Sequence, residues 1–176
     1  DESQKRTHEF SSTHILLPHE LAQSVIHWGK EEISDEDLFH NPEDPEFGRE
    51  MEPHVTALYG LVDTKAAKFK EFFSNQKTIS IKLSRISLFS NEKFDVVKIE
   101  VISPGMRELN AKLKEEFPFH QTNPYRPHVT IAYVKKGKGK KFDGSDFFVG
   151  QTFKAKEIIF SSRDGTKTTF PLGKSK

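Results

Sequence analysis

Pro53-His54-Val55-Thr56-Ala57-Leu58-Tyr59 and Pro127-His128-Val129-Thr130-Ile131-Ala132-Tyr133 are two versions of one segment. Each opens on a proline, continues as His-x-Thr, and runs through apolar residues to a tyrosine. Such a run favours an extended strand, in which successive side chains alternate faces. His54 and Thr56 then share one face, with Val55 and Ala57 on the other. His128 and Thr130 share a face in the same way, backed by Val129 and Ile131. A strand that sets an imidazole beside a hydroxyl, twice over, suits a site that holds one phosphodiester between two proton-transfer groups.

The rest of the chain can be read outward from these strands. Thr13-His14-Ile15-Leu16-Leu17 predicts a strand closed by Pro18, and Leu21, Val25, Trp28 and Ile33 predict a helix over 19–33. Residues 34–52 are acidic and broken by Pro42, Pro45 and Gly48, which predicts a long loop of the kind that often binds. Beyond the first motif, Ala66, Ala67, Phe69, Phe72 and Phe73 predict a short helix over 64–73. Residues 78–89 alternate, with a phase shift at Ser84-Arg85 that predicts a bulge. A turn at Asn91-Glu92-Lys93 leads to a partner strand over 95–101. Pro104 opens a helix whose stripe is Met106, Leu109, Leu113 and Phe117. An aromatic and proline-rich loop over 118–127 leads into the second motif. A basic loop over 135–141 and a final hairpin, 152–161 and 166–172 around Asp164-Gly165, complete the chain.

This order, β-α-β-α-ββ-α-β-ββ, argues an α+β fold with mostly antiparallel sheet. A helix precedes each motif strand, which suggests two related lobes. We read 1–10 as a loose tail, 11–172 as a single domain and 173–176 as a second tail.

With 176 residues the chain suits one domain or two small lobes sharing a core. Apolar content is 34%, but 16 Phe supply bulky core material. A net charge of +1 names no partner, and the absence of Cys excludes disulfides. No apolar run approaches the ~20 residues needed to cross a bilayer. The first residues lack the apolar stretch of a secretory signal. A soluble, cytoplasmic setting is therefore the default expectation, without membrane association. A first residue other than Met suggests a chain trimmed from a longer one.

Phosphodiester cleavage needs a base to activate a hydroxyl or water and an acid to protonate the leaving oxygen. Two histidines can do both. Threonine hydroxyls beside them can donate to the non-bridging oxygens. One His-x-Thr in a strand is ordinary structure; two matched copies are harder to dismiss. A zinc site is the other chemical reading, but it lacks a local His-His or Cys spacing. His8, His14, His19, His27, His40 and His120 sit in no pattern and read as structural or surface residues.

The paired motifs resemble the 2H phosphoesterase superfamily, which includes 2′-5′ RNA ligases and cyclic phosphodiesterases. The resemblance spans roughly residues 11–172. It implies a bilobal fold, with two mostly antiparallel sheets facing a central cleft and helices outside. It implies metal-independent attack on a phosphodiester, with no cofactor. Carried over by position, His54 and His128 are the proton-transfer pair, and Thr56 and Thr130 bind phosphate. Which histidine is base and which acid stays open.

Phe119, Tyr125 and Arg126 precede the second motif and are candidate substrate-binding residues, for stacking and for a phosphate. The basic loop 135–141 either raises anion concentration near the cleft or is a solvated tip. Phe39 and Phe47 in the acidic loop could form a lid. The expected substrates are nucleotide or RNA phosphodiesters, with 2′,3′-cyclic phosphates or 2′-5′ linkages. Cyclic oligonucleotide immune signals, cleaved by some phage-encoded 2H enzymes, are an alternative. A non-catalytic nucleotide- or RNA-binding module on the same fold is another.

Overall fold

The computed structural model describes residues 8–44 and 47–173. In chain order its elements are β1 (Ser11–Leu16), α1 (His19–Glu32), β2 (His54–Leu61), α2 (Ala67–Ser74), β3 (Ile79–Ser90), β4 (Phe94–Ile102), α3 (Pro104–Glu116), β5 (His128–Lys135), β6 (Thr152–Ala155), β7 (Glu157–Ser161) and β8 (Lys167–Pro171). The expected tails fall partly outside the described residues. Within the described part of the first, His8 N donates to Arg163 O at 2.7 Å, and the Phe10 ring packs 5.3 Å from that of His120. None of the helices among the described residues is long and apolar enough to cross a membrane.

Local chemistry explains the elements. In β3, Ile79, Ile81 and Leu83 alternate inward. The α3 helix starts where Ser103 Oγ accepts from Met106 N at 3.1 Å, with Pro104 in the first turn where a missing N–H costs nothing. Its buried stripe is Met106, Leu109, Asn110 and Leu113. Phenylalanines fill the core. Phe69 stacks on Phe160 at 4.5 Å and on Phe117 at 4.3 Å, while Trp28 meets Phe142 at 5.4 Å. Each fully buried ring such as Phe69 contributes roughly 2–3 kcal/mol of transfer free energy.

All eight strands join one antiparallel sheet in the order β6-β3-β4-β5-β2-β1-β7-β8. Hydrogen bonding thus links what the resemblance implied would be two separate sheets. The join is narrow: β2 and β5 pair only at Val55↔Val129. The order mirrors about this seam, with β1 and β4 flanking the two motif strands. The helices cross over, so that α3 packs on β2 and α1 on β5.

The expected closing hairpin forms only from the second part of 152–161, where β7 pairs with β8 from Glu157↔Pro171 to Ser161↔Lys167; the segment as a whole is not one strand. Its first part, β6, pairs with β3, and its second part, β7, pairs with β1. Only Lys156 separates them, yet they lie six places apart in the sheet order. Two extended steps span at most about 7 Å. The sheet must therefore curl until its distant strands approach.

Beyond the seam the motif strands diverge, and each takes a loop as its other partner. Along β5, Tyr133 N donates to Gly48 O at 2.8 Å and Glu50 N to Ile131 O at 2.9 Å. Along β2, His120 N donates to Gly60 O at 2.8 Å and Val62 N to Pro118 O at 3.1 Å. The approach at Gly60 leaves no room for a side chain: φ is +107°, and a Cβ would lie 2.3 Å from His120 O. The acidic loop is pinned as a wall, with Phe39, Phe47, Phe94 and Tyr133 packed edge-on or tilted at centroid distances of 4.9–5.6 Å.

Candidate active site

Val55 and Val129, the middle residues of the two His-x-Thr triplets, are fully buried and face each other across the seam. Continuing that register one residue each way sets His54 opposite Thr130 and Thr56 opposite His128. Directly opposed residues in an antiparallel pair point to the same face. All four side chains are half-buried on the face away from the core.

The two imidazoles are held alike. His54 Nδ1 lies 2.8 Å from Glu52 O, and His128 Nδ1 lies 2.8 Å from Arg126 O. A carbonyl only accepts, so each Nδ1 carries a hydrogen and each Nε2 is left to exchange a proton with substrate. Pro53 and Pro127 lie between each ring and the carbonyl it meets, with φ fixed by the pyrrolidine ring.

A bulge follows each threonine. The pairing skips Ala57 in β2 and Ile131 in β5. The freed carbonyls find other donors: Asn110 Nδ2 reaches Ala57 O at 2.7 Å, and Glu50 N reaches Ile131 O. Sequence reading placed only the bulge in β3, which is present between Leu83 and Ile86.

The flanks of the two halves differ in charge. On β1, His14 pairs with Thr56, and its ring lies 5.0 Å from that of His54. Burial, then the neighbouring His54 and Lys167, push its pKa down to about 3, so it stays neutral. On β4, Lys98 holds the equivalent place opposite Thr130. Burial lowers the His128 pKa, the Arg126 carbonyl opposes this, and Lys98 and His54 lower it further. Glu50 Oε1 sits 3.7 Å from His54 Nδ1. Sequence reading treated His14 as background and passed over Lys98, because only strand pairing brings them here.

A cavity of about 600 Å³ opens beside Thr56 and His128. Its walls include Leu58, Tyr59, Phe89, Tyr125 and Arg126, with Gln121 and Asn123 at its edge. Tyr125 and Arg126, two of the candidate substrate-binding residues, thus line this cavity. The Tyr125 hydroxyl is already committed, donating to Thr56 O at 2.7 Å. Phe119 is not among the residues that line the cavity: it bridges to Leu61 and packs on the core beneath the Lys114 ammonium, since its loop hydrogen-bonds to β2. The basic loop is also displaced. It follows Lys135, seven residues along β5 from His128, about 23 Å away. Asp95 holds it down by accepting from Gly137 N and Gly139 N. Among the described residues, no group of three or more His, Asp or Glu is arranged to hold a metal ion.

The sequence model of the 2′-5′ RNA ligase superfamily matches residues 23–164, well over half of the chain. The chain belongs to this superfamily of 2H phosphoesterases. No functionally curated protein matches this superfamily member in sequence. Its fold is similar to that of TT0787 from Thermus thermophilus, at 14% identity and a TM-score of 0.66, covering 95% of this chain and 100% of that one. Kluyveromyces marxianus Usb1 with uridine monophosphate aligns at 11% identity and 0.57, over 93% and 98% of the two chains. Escherichia coli LigT complexed with 3′-AMP aligns at 20% identity and 0.54, over 93% and 94%.

Proposed function

We propose that this chain is a metal-independent phosphodiesterase acting on nucleotide or RNA phosphodiesters, with 2′,3′-cyclic phosphates and 2′-5′ linkages as the bonds attacked. One observation carries the reading: two imidazoles on one face of a single seam, each locked through Nδ1 to the carbonyl two residues back. That arrangement supplies two Nε2 atoms for proton transfer and no comparable benefit to a mere binder.

His128 is the base. Burial and the Lys98 cation favour its neutral form, and its Nε2 takes the proton of the attacking water or hydroxyl as the new P–O bond forms. His54, beside the Glu50 carboxylate, is the acid and gives its proton to the leaving oxygen as the old P–O bond breaks. Proton count is conserved: one histidine ends protonated, the other neutral. Thr56 and Thr130 donate to the non-bridging oxygens. The nucleoside occupies the cavity on the His128 side, stacked against Tyr59 and Phe89. The nucleotides bound by Usb1 and LigT support a ligand of this class.

The test is turnover in EDTA against 2′,3′-cyclic nucleotides, 2′-5′ oligoadenylate and cyclic dinucleotides. His54→Ala and His128→Ala are each expected to lose about 10²–10⁴-fold in rate while keeping nucleotide affinity. Loss of activity in chelator, or unchanged turnover in both variants, refutes the mechanism. Turnover confined to cyclic dinucleotides transfers the assignment to that substrate class.

A further inference from the structure

Lys98 is only 6% exposed, and it lies directly opposite Thr130 on the face that carries the four motif side chains. A buried ammonium is costly unless an anion offsets it. No carboxylate among the described residues lies within ion-pair distance of it; Glu100 and Asp143 favour its charged form only from farther off, against the burial that opposes it. Its Nζ donates to Ser87 Oγ at 2.5 Å and sits 4.2 Å above the Phe89 ring. The same Phe89 ring meets His128 edge-on at 5.1 Å, which ties the cation to the candidate base. An ammonium has three donors, and Ser87 takes one. The mirrored position, opposite Thr56, holds the neutral His14. The frame is therefore nearly two-fold, and the charge is not.

We propose that Lys98 is the cationic member of the phosphate-binding set, donating to a non-bridging oxygen beside Thr130 and taking up the negative charge that gathers there in the transition state. Ser87 and Phe89 hold the ammonium in place before substrate arrives. Because the mirrored site is neutral, the non-bridging oxygens are drawn towards β4, and the nucleoside is left to the cavity beside Thr56 and His128. The inference rests on the phosphodiesterase reading for its rate effect, but not for its binding effect.

The experiment compares wild type with Lys98→Met, which keeps the apolar stem and removes the charge. Three readouts are needed: single-turnover cleavage of a 2′,3′-cyclic nucleotide over pH, calorimetric affinity for a nucleoside 3′-monophosphate and for the uncharged nucleoside, and thermal stability. Cleavage is expected to fall about 10²–10³-fold. Affinity for the monophosphate falls at least about tenfold, with affinity for the nucleoside unchanged. The acid limb of the pH profile moves to higher pH, because His128 loses the Lys98 cation while His54, Glu100 and Arg126 still face it. A purely structural lysine would change the melting temperature and leave the pH profile and charge-selective affinity alone; that result overturns the proposal. If Lys98→Met does not fold, Lys98→Gln, which can keep the bond to Ser87, carries the same expectations. If wild type cleaves nothing in the panel, the phosphodiesterase reading fails, and the monophosphate-to-nucleoside comparison still decides the role of Lys98.

Discussion

Lowering the pH from 7 to 5 loads a proton onto His14 in the unfolded chain but not in the folded one. Folded His14 is 7% exposed, and its pKa is pushed down to about 3, mainly by burial and then by His54 and Lys167. Unfolded histidine titrates near 6.5. A depressed histidine pKa means that the unfolded state binds more protons, so stability falls with falling pH. The contribution of His14 is intact above about 6.5 and drains away towards 3 at about 1.4 kcal/mol per pH unit. Between pH 7 and pH 5 the integrated loss is about 2 kcal/mol, insensitive to the folded value because pH 5 stays above it. His14→Leu removes the titration and keeps the site filled. Urea unfolding of both proteins at pH 7 and pH 5 isolates the effect, since every other group, His128 included, is common to both. Wild type is expected to lose about 2 kcal/mol more than the variant, or about 1 M more in urea midpoint. Parallel losses in the two proteins would refute the reasoning that His14 is held neutral beside His54.

Asn110→Leu strips the buried Ala57 carbonyl of its donor and should cost about 1–3 kcal/mol in urea unfolding, with a drop in turnover because the bulge behind Thr56 is no longer pinned. Gly60→Ala drives a Cβ into the His120 carbonyl at a positive φ, and a loss of about 2 kcal/mol or more in thermal or urea unfolding is expected. Cleavage rate should rise with pH along an acid limb whose midpoint lies below the usual histidine value of about 6.5, since the base must be neutral and burial favours neutral His128. A midpoint above that value would count against His128 as base. Because the two histidines interact, the measured midpoints belong to the pair.

The four motif residues were legible because strand periodicity is local. An alternating run decides which side chains share a face wherever the strand finally pairs. The misplacements came from non-local pairing. Phe119 reads as an exposed aromatic before a motif, but its loop hydrogen-bonds along β2 and turns the ring towards the core. The run 152–161 has no glycine or proline at Lys156, so nothing in it announces that the chain leaves one end of the sheet for the other. His14 and Lys98 carry no local mark. They enter the site because they pair with Thr56 and Thr130, at registers set by segments tens of residues away.

What the residues alone determined was the pair of chemical faces: an imidazole and a hydroxyl on one side of each strand, and apolar backing on the other. Tertiary structure decided how those faces meet, through a single valine pair at the seam, and which half carries the cation. The first follows from a two-residue repeat that every strand obeys. The second follows from long-range register, which no short stretch of chain encodes.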